Sequence, residues 1–321
     1  MTPQTPMVSI VIPCYNATRY ITETLDCLRA QTFRNFETIL TNDGDPDTDN
    51  LERALEPYRD EIVYLKSGKH SSPSGSRNNA INASRAPYIA LLDSDDLFEP
   101  DYLGTHVGIL EANPSWDLVY SNAEFFGETA WAGKTFVDAA VPASETTLRH
   151  LAERERMVYI GVTARREALI RAGLFDAEVL GGEDWDLWMR LLRTGGRVFY
   201  SGQRLCRYRI HAQQQSTRVL VSFKNHLGVY SKHLSLPGLS DEERRWFETG
   251  RRKLQAEADL FMGKQALYSG RRTEAIELLT RSNAVLHSRR VSIAILALRI
   301  APRLLYSYVH RKYPTEYIYL H

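Results

Sequence analysis

The chain has 321 residues, of which 43% are hydrophobic and 25% charged, and its formal net charge at pH 7 is +1. Such a composition is typical of a globular protein that buries a substantial core without disulfides or a structural metal. The balanced charge argues against a general nucleic-acid-binding protein, which usually carries a strong basic excess. The length fits one large α/β domain with an appendage, or two domains.

The sequence predicts neither export nor insertion into a membrane. Residues 1–7 are polar and lack the basic and apolar regions of a secretory signal. No run of about 18 apolar residues predicts a spanning helix. The three cysteines, Cys14, Cys27 and Cys206, form no CxxC pair and suit a reducing compartment. We therefore expect a cytoplasmic protein.

Strand and helix patterns alternate along the first third of the chain. Short apolar, β-branched runs predict four strands, at 8–12, 36–41, 62–65 and 88–92. Apolar residues at helical spacing lie between these runs, and the last helix is expected at 76–84, after a loop at 66–75. Strands separated by helices imply right-handed crossovers and an α/β fold whose mainly parallel sheet is flanked by helices.

The pattern changes further along the chain. Residues 101–215 continue the same unit, with a helix at 101–112 and a second helix that starts at the acids Glu183 and Asp184. A helix N-terminus favours negative charge. Beyond residue 215 the strand patterns stop, and the remaining sequence predicts helices, including a hairpin that turns at Gly270.

Polar clusters follow three of the four predicted strands. They comprise residues 13–16, 42–44 and 93–96. Ligands of open α/β sheets bind beyond the carboxyl ends of the strands. The three clusters should therefore converge on one edge of the sheet and form a binding site there.

The sequence Asp93-Ser94-Asp95-Asp96 places three acids in a turn after a buried strand. Carboxylates this close repel one another and resist desolvation, and a divalent cation relieves both effects. An exposed acidic turn at a helix start is the alternative. The neighbouring polar clusters favour the metal site.

Two other residues suggest contacts with a nucleotide. Asp43 follows a buried strand and could accept a hydrogen bond from a base N–H, although an Asx-turn is the alternative. Arg77 heads a short helix after the Ser/Gly loop, where it could clamp a diphosphate, although a solvated helix arginine is the alternative.

The order of these motifs resembles glycosyltransferase family 2, with the GT-A fold, over residues 8–216, roughly two-thirds of the chain. Residues 8–16 look like its opening strand and nucleotide-binding turn, which assigns Pro13, Tyr15 and Asn16 to donor binding. The stretch from Asn42 to Asp45 is similar to the family's Asp-Asp-Gly-Ser, with Asn42 in place of the first acid and Asp45 in place of the serine. The resemblance implies that Asp43 contacts a uracil ring.

The resemblance also implies the roles of the diphosphate and metal ligands. Arg77 matches the arginine that faces the diphosphate, and Asp93-Ser94-Asp95 looks like the DxD motif, with Ser94 also at the donor. By this resemblance, Asp95 contacts Mn²⁺ or Mg²⁺ directly and Asp93 touches ribose or metal. The segment from Tyr208 to Ser216 is similar to a late family segment in which the histidine, here His211, completes the metal shell.

Glu183-Asp184 resembles the family's ED motif, in which the Asp is the general base. The resemblance implies an inverting enzyme that transfers a sugar from a nucleotide-sugar, expected to be a UDP-sugar. The acceptor would be a saccharide or a lipid-linked saccharide in surface polysaccharide biosynthesis. A GT-A domain would cover residues 1–217, with a nucleotide-sugar-binding half at 1–100 and an acceptor half at 101–217, before a helical region at 218–321.

Two rival functions stay open. A nucleotidyltransferase uses a similar sheet, but it would carry a Gly-rich, Arg-containing loop where this chain has residues 13–16. A non-catalytic scaffold could retain the fold, although the presence of Arg77, Asp95 and Asp184 argues against it. Residues 122–159 have no clear periodicity, and loops of this kind decide donor sugar, acceptor and linkage.

Residues 289–312 contain six Lys and Arg and no acid. On a helical wheel their polar residues form a narrow strip beside a broad apolar face, and Pro302 is expected to kink the helix. This pattern suits peripheral contact with the inner face of a membrane, which is one of two equally open interpretations. Packing of the same face on the catalytic domain, or on another copy in a homo-oligomer, is the alternative.

Overall fold

The computed structural model describes residues 5–67, 72–138, 140–212 and 219–312. These residues form two compact units, 5–212 and 219–312. The first unit combines a sheet with helices, and the second is helical. Each unit is described separately below.

One nine-stranded sheet runs through the described part of the first unit. Its strands are β1 Val8–Cys14, β2 Phe36–Asn42, β3 Ile62–Lys66, β4 Tyr88–Leu91, β5 Leu97–Phe98, β6 Leu118–Gly127, β7 Ser144–Thr146, β8 Val162–Arg165 and β9 Val198–Ile210. The helices of this unit are α1 Ile21–Arg29, α2 Thr48–Leu55, α3 Ser72–Ala83, α4 Tyr102–Ala112, α5 Leu148–Ala152, α6 Arg166–Arg171 and α7 Glu183–Arg193.

The first four strands pair in parallel in the order β3-β2-β1-β4. The predicted parallel arrangement is therefore confirmed for this half of the sheet, and each predicted strand lies within two residues of the observed one. Ile10 and Ile12 on one face of β1 and Val11 on the other are fully buried. A strand apolar on both faces suits a parallel sheet that is covered by helices on both sides.

The second half of the sheet is mixed, because it adds antiparallel pairs to the predicted α/β sheet. Strand β8 is antiparallel to both β4 and β6, and β9 is parallel to β6 but antiparallel to β5 and β7. The sequence pattern did not reveal these pairings, because β5 and β7 have only two and three residues. The long strand β9 carries residues 198–210 along the sheet to the edge where β4 ends.

Helix α3 begins at Ser72, four residues before the predicted start. The expected loop at 66–75 was therefore wrong at 72–75, while residues 68–71 lie outside the described residues. Proline is favoured in the first turn of a helix, where its missing N–H is not needed. Pro73 provides such a start despite the small polar residues around it.

The second unit consists of α8 Val219–Ser235, α9 Asp241–Tyr268, α10 Arg272–Leu286, α11 Arg289–Ile300 and α12 Pro302–Lys312. Helix α9 starts with a capping box, because Ser240 and Glu243 each bind the backbone N–H of the other. The predicted turn at Gly270 is confirmed, since Gly270 has a φ of 71° between α9 and α10. The predicted break at Pro302 is confirmed as well, because α11 ends at Ile300 and α12 starts at Pro302.

A hydrophobic core joins four helices of the second unit. Its buried and partly buried members are Leu260, Met262, Ala266, Leu267, Ala275, Ile276, Leu278, Leu279, Val291, Ile295, Leu298, Leu305, Tyr306 and Val309. Among the described helices, none combines the length and the apolar character that crossing a bilayer requires.

Candidate functional site

The parallel strands bring the predicted polar clusters to one edge of the sheet. Cys14 at the end of β1 lies opposite Asn42 at the end of β2. Leu91 at the end of β4 pairs with Val11 of the same central strand. The backbone N–H of Asp43 donates to the carbonyl oxygen of Cys14 at 3.0 Å, so the first two turns are directly joined.

The turn after β1 exposes the residues assigned to donor binding. Pro13 is half-buried, Tyr15 is 47% exposed, and Asn16 has a left-handed φ of 54°. Asp45 supports this turn, because its Oδ2 accepts a hydrogen bond from the backbone N–H of Ala17 at 3.1 Å. The exposed Tyr15 side chain therefore belongs to a turn whose backbone is held in place by Asp45.

Asn42 and Asp45, the two departures from the family motif, build the turn around the buried Asp43. The Asn42 Oδ1 atom accepts from the Asp45 N–H at 2.8 Å, and its Nδ2 donates to the Tyr64 hydroxyl at 2.8 Å. That hydroxyl donates its own proton to Glu52 at 3.0 Å. Because the Tyr64 oxygen must then accept, residue 42 has to supply a donor, which an ionised aspartate lacks.

We expect Asn42→Asp to lower the free energy of unfolding by about 2 kcal/mol. The substitution buries a carboxylate and removes the amide N–H that donates to the Tyr64 hydroxyl. Urea denaturation would measure the change. The exposed Asn79 offers a matched control, because Asn79→Asp makes the same chemical change without burial and should stay within about 0.5 kcal/mol. Equal effects of the two variants would contradict the role given to Asn42.

Three carboxylates cluster in the turn after β4. Asp93, Asp95 and Asp96 each present an oxygen within 4.8 Å of the others. Asp93 and Asp95 are half-buried, whereas Asp96 is buried. The hydroxyl of Thr24 donates to the carbonyl oxygen of Ser94 at 3.0 Å, which holds the turn against α1. The predicted acidic motif is thus one compact oxygen-rich site.

Strand β9 supports this turn through Arg209, which the sequence had not singled out. Its backbone N–H donates to Asp96 Oδ1 at 2.8 Å, and its Nε donates to the carbonyl oxygen of Asp95 at 2.7 Å. Its Nη2 reaches Glu23 Oε2 at 2.7 Å. Asp96 therefore anchors the turn to β9, and Asp93 and Asp95 remain the accessible carboxylates.

His211 lies beside Asp95, as the expected metal shell requires. The His211 Nε2 atom is 2.9 Å from Asp95 Oδ2, and the histidine is 9% exposed. Its ring packs against Tyr20, with 4.9 Å between the ring centroids. One nitrogen and several carboxylate oxygens thus face the same small volume.

The electrostatics of the cluster fit a divalent cation. Burial raises the pKa of the Asp95 carboxyl, and the adjacent Asp93 raises it further. Burial and then the charges of Asp95 and Asp93 raise the pKa of Asp96 well above its ordinary value. A cation with oxygen and imidazole ligands would offset this repulsion. Asp93, Asp95 and His211 are the residues that could hold it.

Arg77 joins the acidic turn to the start of α7. Its Nη2 donates to Asp93 Oδ1 at 2.6 Å and its Nη1 donates to Glu183 Oε1 at 2.9 Å. The arginine is only 5% exposed, and its guanidinium lies 5.4 Å from the centre of the Phe175 ring. The predicted diphosphate ligand is therefore within the site, but in this structure it cross-links two acidic segments.

The chain before α7 is also fixed from α3. Asn78 Nδ2 donates to the carbonyl oxygen of Phe175 at 2.8 Å, and the Phe175 N–H donates to Asn78 Oδ1 at 3.0 Å. Two consecutive residues of α3, Arg77 and Asn78, therefore set the approach of the chain to α7. Arg77 was predicted from the sequence and Asn78 was missed, although the two are adjacent in the chain.

Asp184 lies in the first turn of α7, after Gly182, whose φ of 79° allows the sharp entry into the helix. The Asp184 Oδ1 atom accepts from the Trp185 N–H at 2.7 Å. Burial, followed by the charge of Glu183, raises the pKa of Asp184 from 3.8 to about 7. A carboxylate with a pKa near neutrality is suited to take and release a proton.

Residues 9–171 match the model of the family described as Glycosyl transferase family 2. An uncharacterized glycosyltransferase of Rickettsia felis is 26% identical over 298 residues, which cover 90% of this chain and 48% of that relative. The chain thus spans about half the length of this relative.

Solved structures show the same fold. S. aureus TarS 1–349 in complex with UDP-GlcNAc aligns with a TM-score of 0.66 at 17% identity and covers 95% of this chain and 91% of that one. The mannosyltransferase PcManGT of Pyrobaculum calidifontis, in complex with GDP-Man and Mn²⁺, aligns with a TM-score of 0.62 at 16% identity and covers 95% and 84%. Since the family model covers more than half of the sequence, the chain belongs to glycosyl transferase family 2.

Proposed function

We propose that this chain transfers a sugar from a UDP-sugar to a saccharide or lipid-linked saccharide acceptor, with inversion at the anomeric carbon and with Mn²⁺ or Mg²⁺. One observation carries the proposal: Arg77 ties Asp93 of the acidic turn to Glu183, next to Asp184, at the edge where β1 and β2 also end. Donor ligands and a proton acceptor thus share one site. The family membership and the UDP-GlcNAc complex of TarS support this assignment.

The reaction is a single displacement. The acceptor hydroxyl oxygen bonds to the anomeric carbon while its proton passes to the Asp184 carboxylate. The bond from that carbon to the diphosphate oxygen breaks, and the nucleoside diphosphate leaves with the electron pair. Asp93, Asp95 and His211 would hold the cation, which when bound supplies positive charge that stabilises the leaving diphosphate.

The donor side of the site is assigned by position. Tyr15 is exposed on the turn after β1, where it could cover a base or a sugar, and Asp43 in the adjacent turn would accept from the uracil N–H. Pro13, Asn16 and Ser94 lie at the same edge of the sheet, near the end of β1 and in the turns after β1 and β4. We place the uridine over β1 and β2 and the diphosphate toward the acidic turn.

Thermal melting with UDP, GDP and dTDP, each with and without Mn²⁺, tests the proposal. We expect UDP with Mn²⁺ to raise the melting temperature by about 5–10 °C at saturating concentration, because ligand binding stabilises the native state. A shift with GDP or dTDP alone would overturn the choice of uridine. No shift with any nucleotide would overturn the enzymatic proposal itself.

The metal assignment has a separate test. Asp95→Asn should remove the Mn²⁺-dependent part of the UDP shift, because it takes away a ligand at the centre of the cluster. The exposed Asp60 provides a control, since Asp60→Asn makes the same change of charge away from the site. A full Mn²⁺-dependent shift in Asp95→Asn would show that the cation binds elsewhere.

A further inference from the structure

Helices α11 and α12 present an apolar face that their own unit leaves uncovered. Five large side chains on this outward face are between 53% and 74% exposed: Ile293, Leu296, Ile300, Leu304 and Tyr308. All five follow one another at intervals of three or four residues, from Ile293 in α11 to Tyr308 in α12. A continuous exposed stripe of this kind marks an interaction surface more often than a scatter of single residues does.

The outward face belongs to helices that are firmly held from the other side. Ile295 and Leu298 are buried in the core of the second unit. Arg272 Nε donates to the carbonyl oxygen of Leu298 at 2.8 Å, and its Nη2 donates to that of Arg299 at 2.9 Å. These bonds satisfy carbonyl groups at the C-terminus of α11. Leu305, Tyr306 and Val309 of α12 pack against the same core, so both helices that carry the five exposed residues are held from the other side.

The same surface is strongly cationic. Its exposed arginines are Arg289, Arg290, Arg299, Arg303 and Arg311. Residues 288–312 contain no Asp or Glu in the sequence. Exposed apolar residues among exposed arginines are typical of helices that lie in the interface of an anionic bilayer, with apolar side chains between the lipids and arginines at the headgroups.

We propose that α11 and α12 dock the protein on an anionic phospholipid surface through the outward face. A second copy of the chain fits the face less well, because a two-fold contact would bring the same arginines of both copies together. Lipid phosphates instead supply the charge that is complementary to the arginines. The docking does not depend on the donor chemistry, so its test needs no transferase activity.

The test is flotation of the full chain with vesicles of phosphatidylcholine alone or of equimolar phosphatidylcholine and phosphatidylglycerol. We expect binding to the anionic vesicles to be at least ~10-fold tighter than to the neutral ones, and to weaken when NaCl is raised to about 0.5 M. Ile300→Glu/Leu304→Glu should reduce binding at least ~10-fold, and Arg299→Gln/Arg303→Gln should reduce the preference for anionic vesicles.

Leu220 and Val221 of α8 provide the matched control, since both are also exposed apolar residues of the second unit. Leu220→Glu/Val221→Glu should float like the wild type, and circular dichroism should show that every variant keeps its helices. Absent vesicle binding, or equal binding by Ile300→Glu/Leu304→Glu, would overturn the proposal. So would a dimer in light scattering that Ile300→Glu/Leu304→Glu dissociates, because the face would then be a contact between copies.

Discussion

Asp184→Asn is expected to lower kcat for sugar transfer by about 10³-fold while it leaves binding of UDP with Mn²⁺ nearly unchanged. The amide keeps the size of the side chain and can still accept from the Trp185 N–H, which Asp184 Oδ1 binds at 2.7 Å. It cannot take a proton from the acceptor. Steady-state kinetics and the UDP-dependent melting shift together measure the two effects.

The pH profile separates a general base from a merely structural acid. Only the ionised carboxylate can accept a proton, and burial and Glu183 raise the pKa of Asp184 to about 7. The transfer rate should therefore fall about tenfold for each pH unit below 7 and reach a plateau above it. Glu183→Gln removes the neighbouring charge, so it should move this limb of the profile to lower pH. A transfer rate that is constant from pH 5 to 8 would show that Asp184 is not the general base.

Arg77→Ala should have the largest effect on stability within the site. The substitution removes the buried Arg77 guanidinium, which forms ion pairs with both Asp93 and Glu183. Removal of one partner from a buried ion pair typically costs about 3–5 kcal/mol, and we expect a loss of about 3 kcal/mol because Asp93 is half-exposed. Urea denaturation of the ligand-free protein measures this loss.

A double-mutant cycle tests the mechanism of that loss. Glu183→Gln removes one of the two carboxylate charges, so Arg77→Ala should cost clearly less in the Glu183→Gln background than in the wild type. Arg85 offers a control: it also pairs with a buried carboxylate, that of Glu37, but its own side chain is 63% exposed. Arg85→Ala should be less costly. Additive effects of Arg77→Ala and Glu183→Gln would argue against the cross-link.

The sequence was sufficient to predict the edge of the sheet where the candidate site lies. The carboxyl ends of parallel strands lie at the same edge of the sheet. The turns that carry Asp43 and Asp95 were therefore expected to lie close together at that edge. The resemblance to the family added Asp184 and His211. Each of these inferences used a local pattern or a motif with a fixed order.

The contacts that hold the site together could not be predicted in the same way. Arg209 reaches Glu23 across 186 positions and depends on the course of β9 through the second half of the sheet. The short strand β7 and the loops around it leave no periodic pattern in residues 122–159. Arg77 was expected to face a diphosphate, but its pairing with two carboxylates is a property of the folded chain.

The bonds across the site also govern when it forms during synthesis. Asp96 meets Arg209 across 113 positions, and Arg77 meets Glu183 across 106. A nascent chain that has emerged only as far as Asp96 already carries the acidic turn and Thr24, but it lacks Arg209, which binds the turn from β9. The centre therefore assembles after β9 has left the ribosome, since contacts between distant segments close late. Until then the growing chain lacks two of the bonds that order the candidate site.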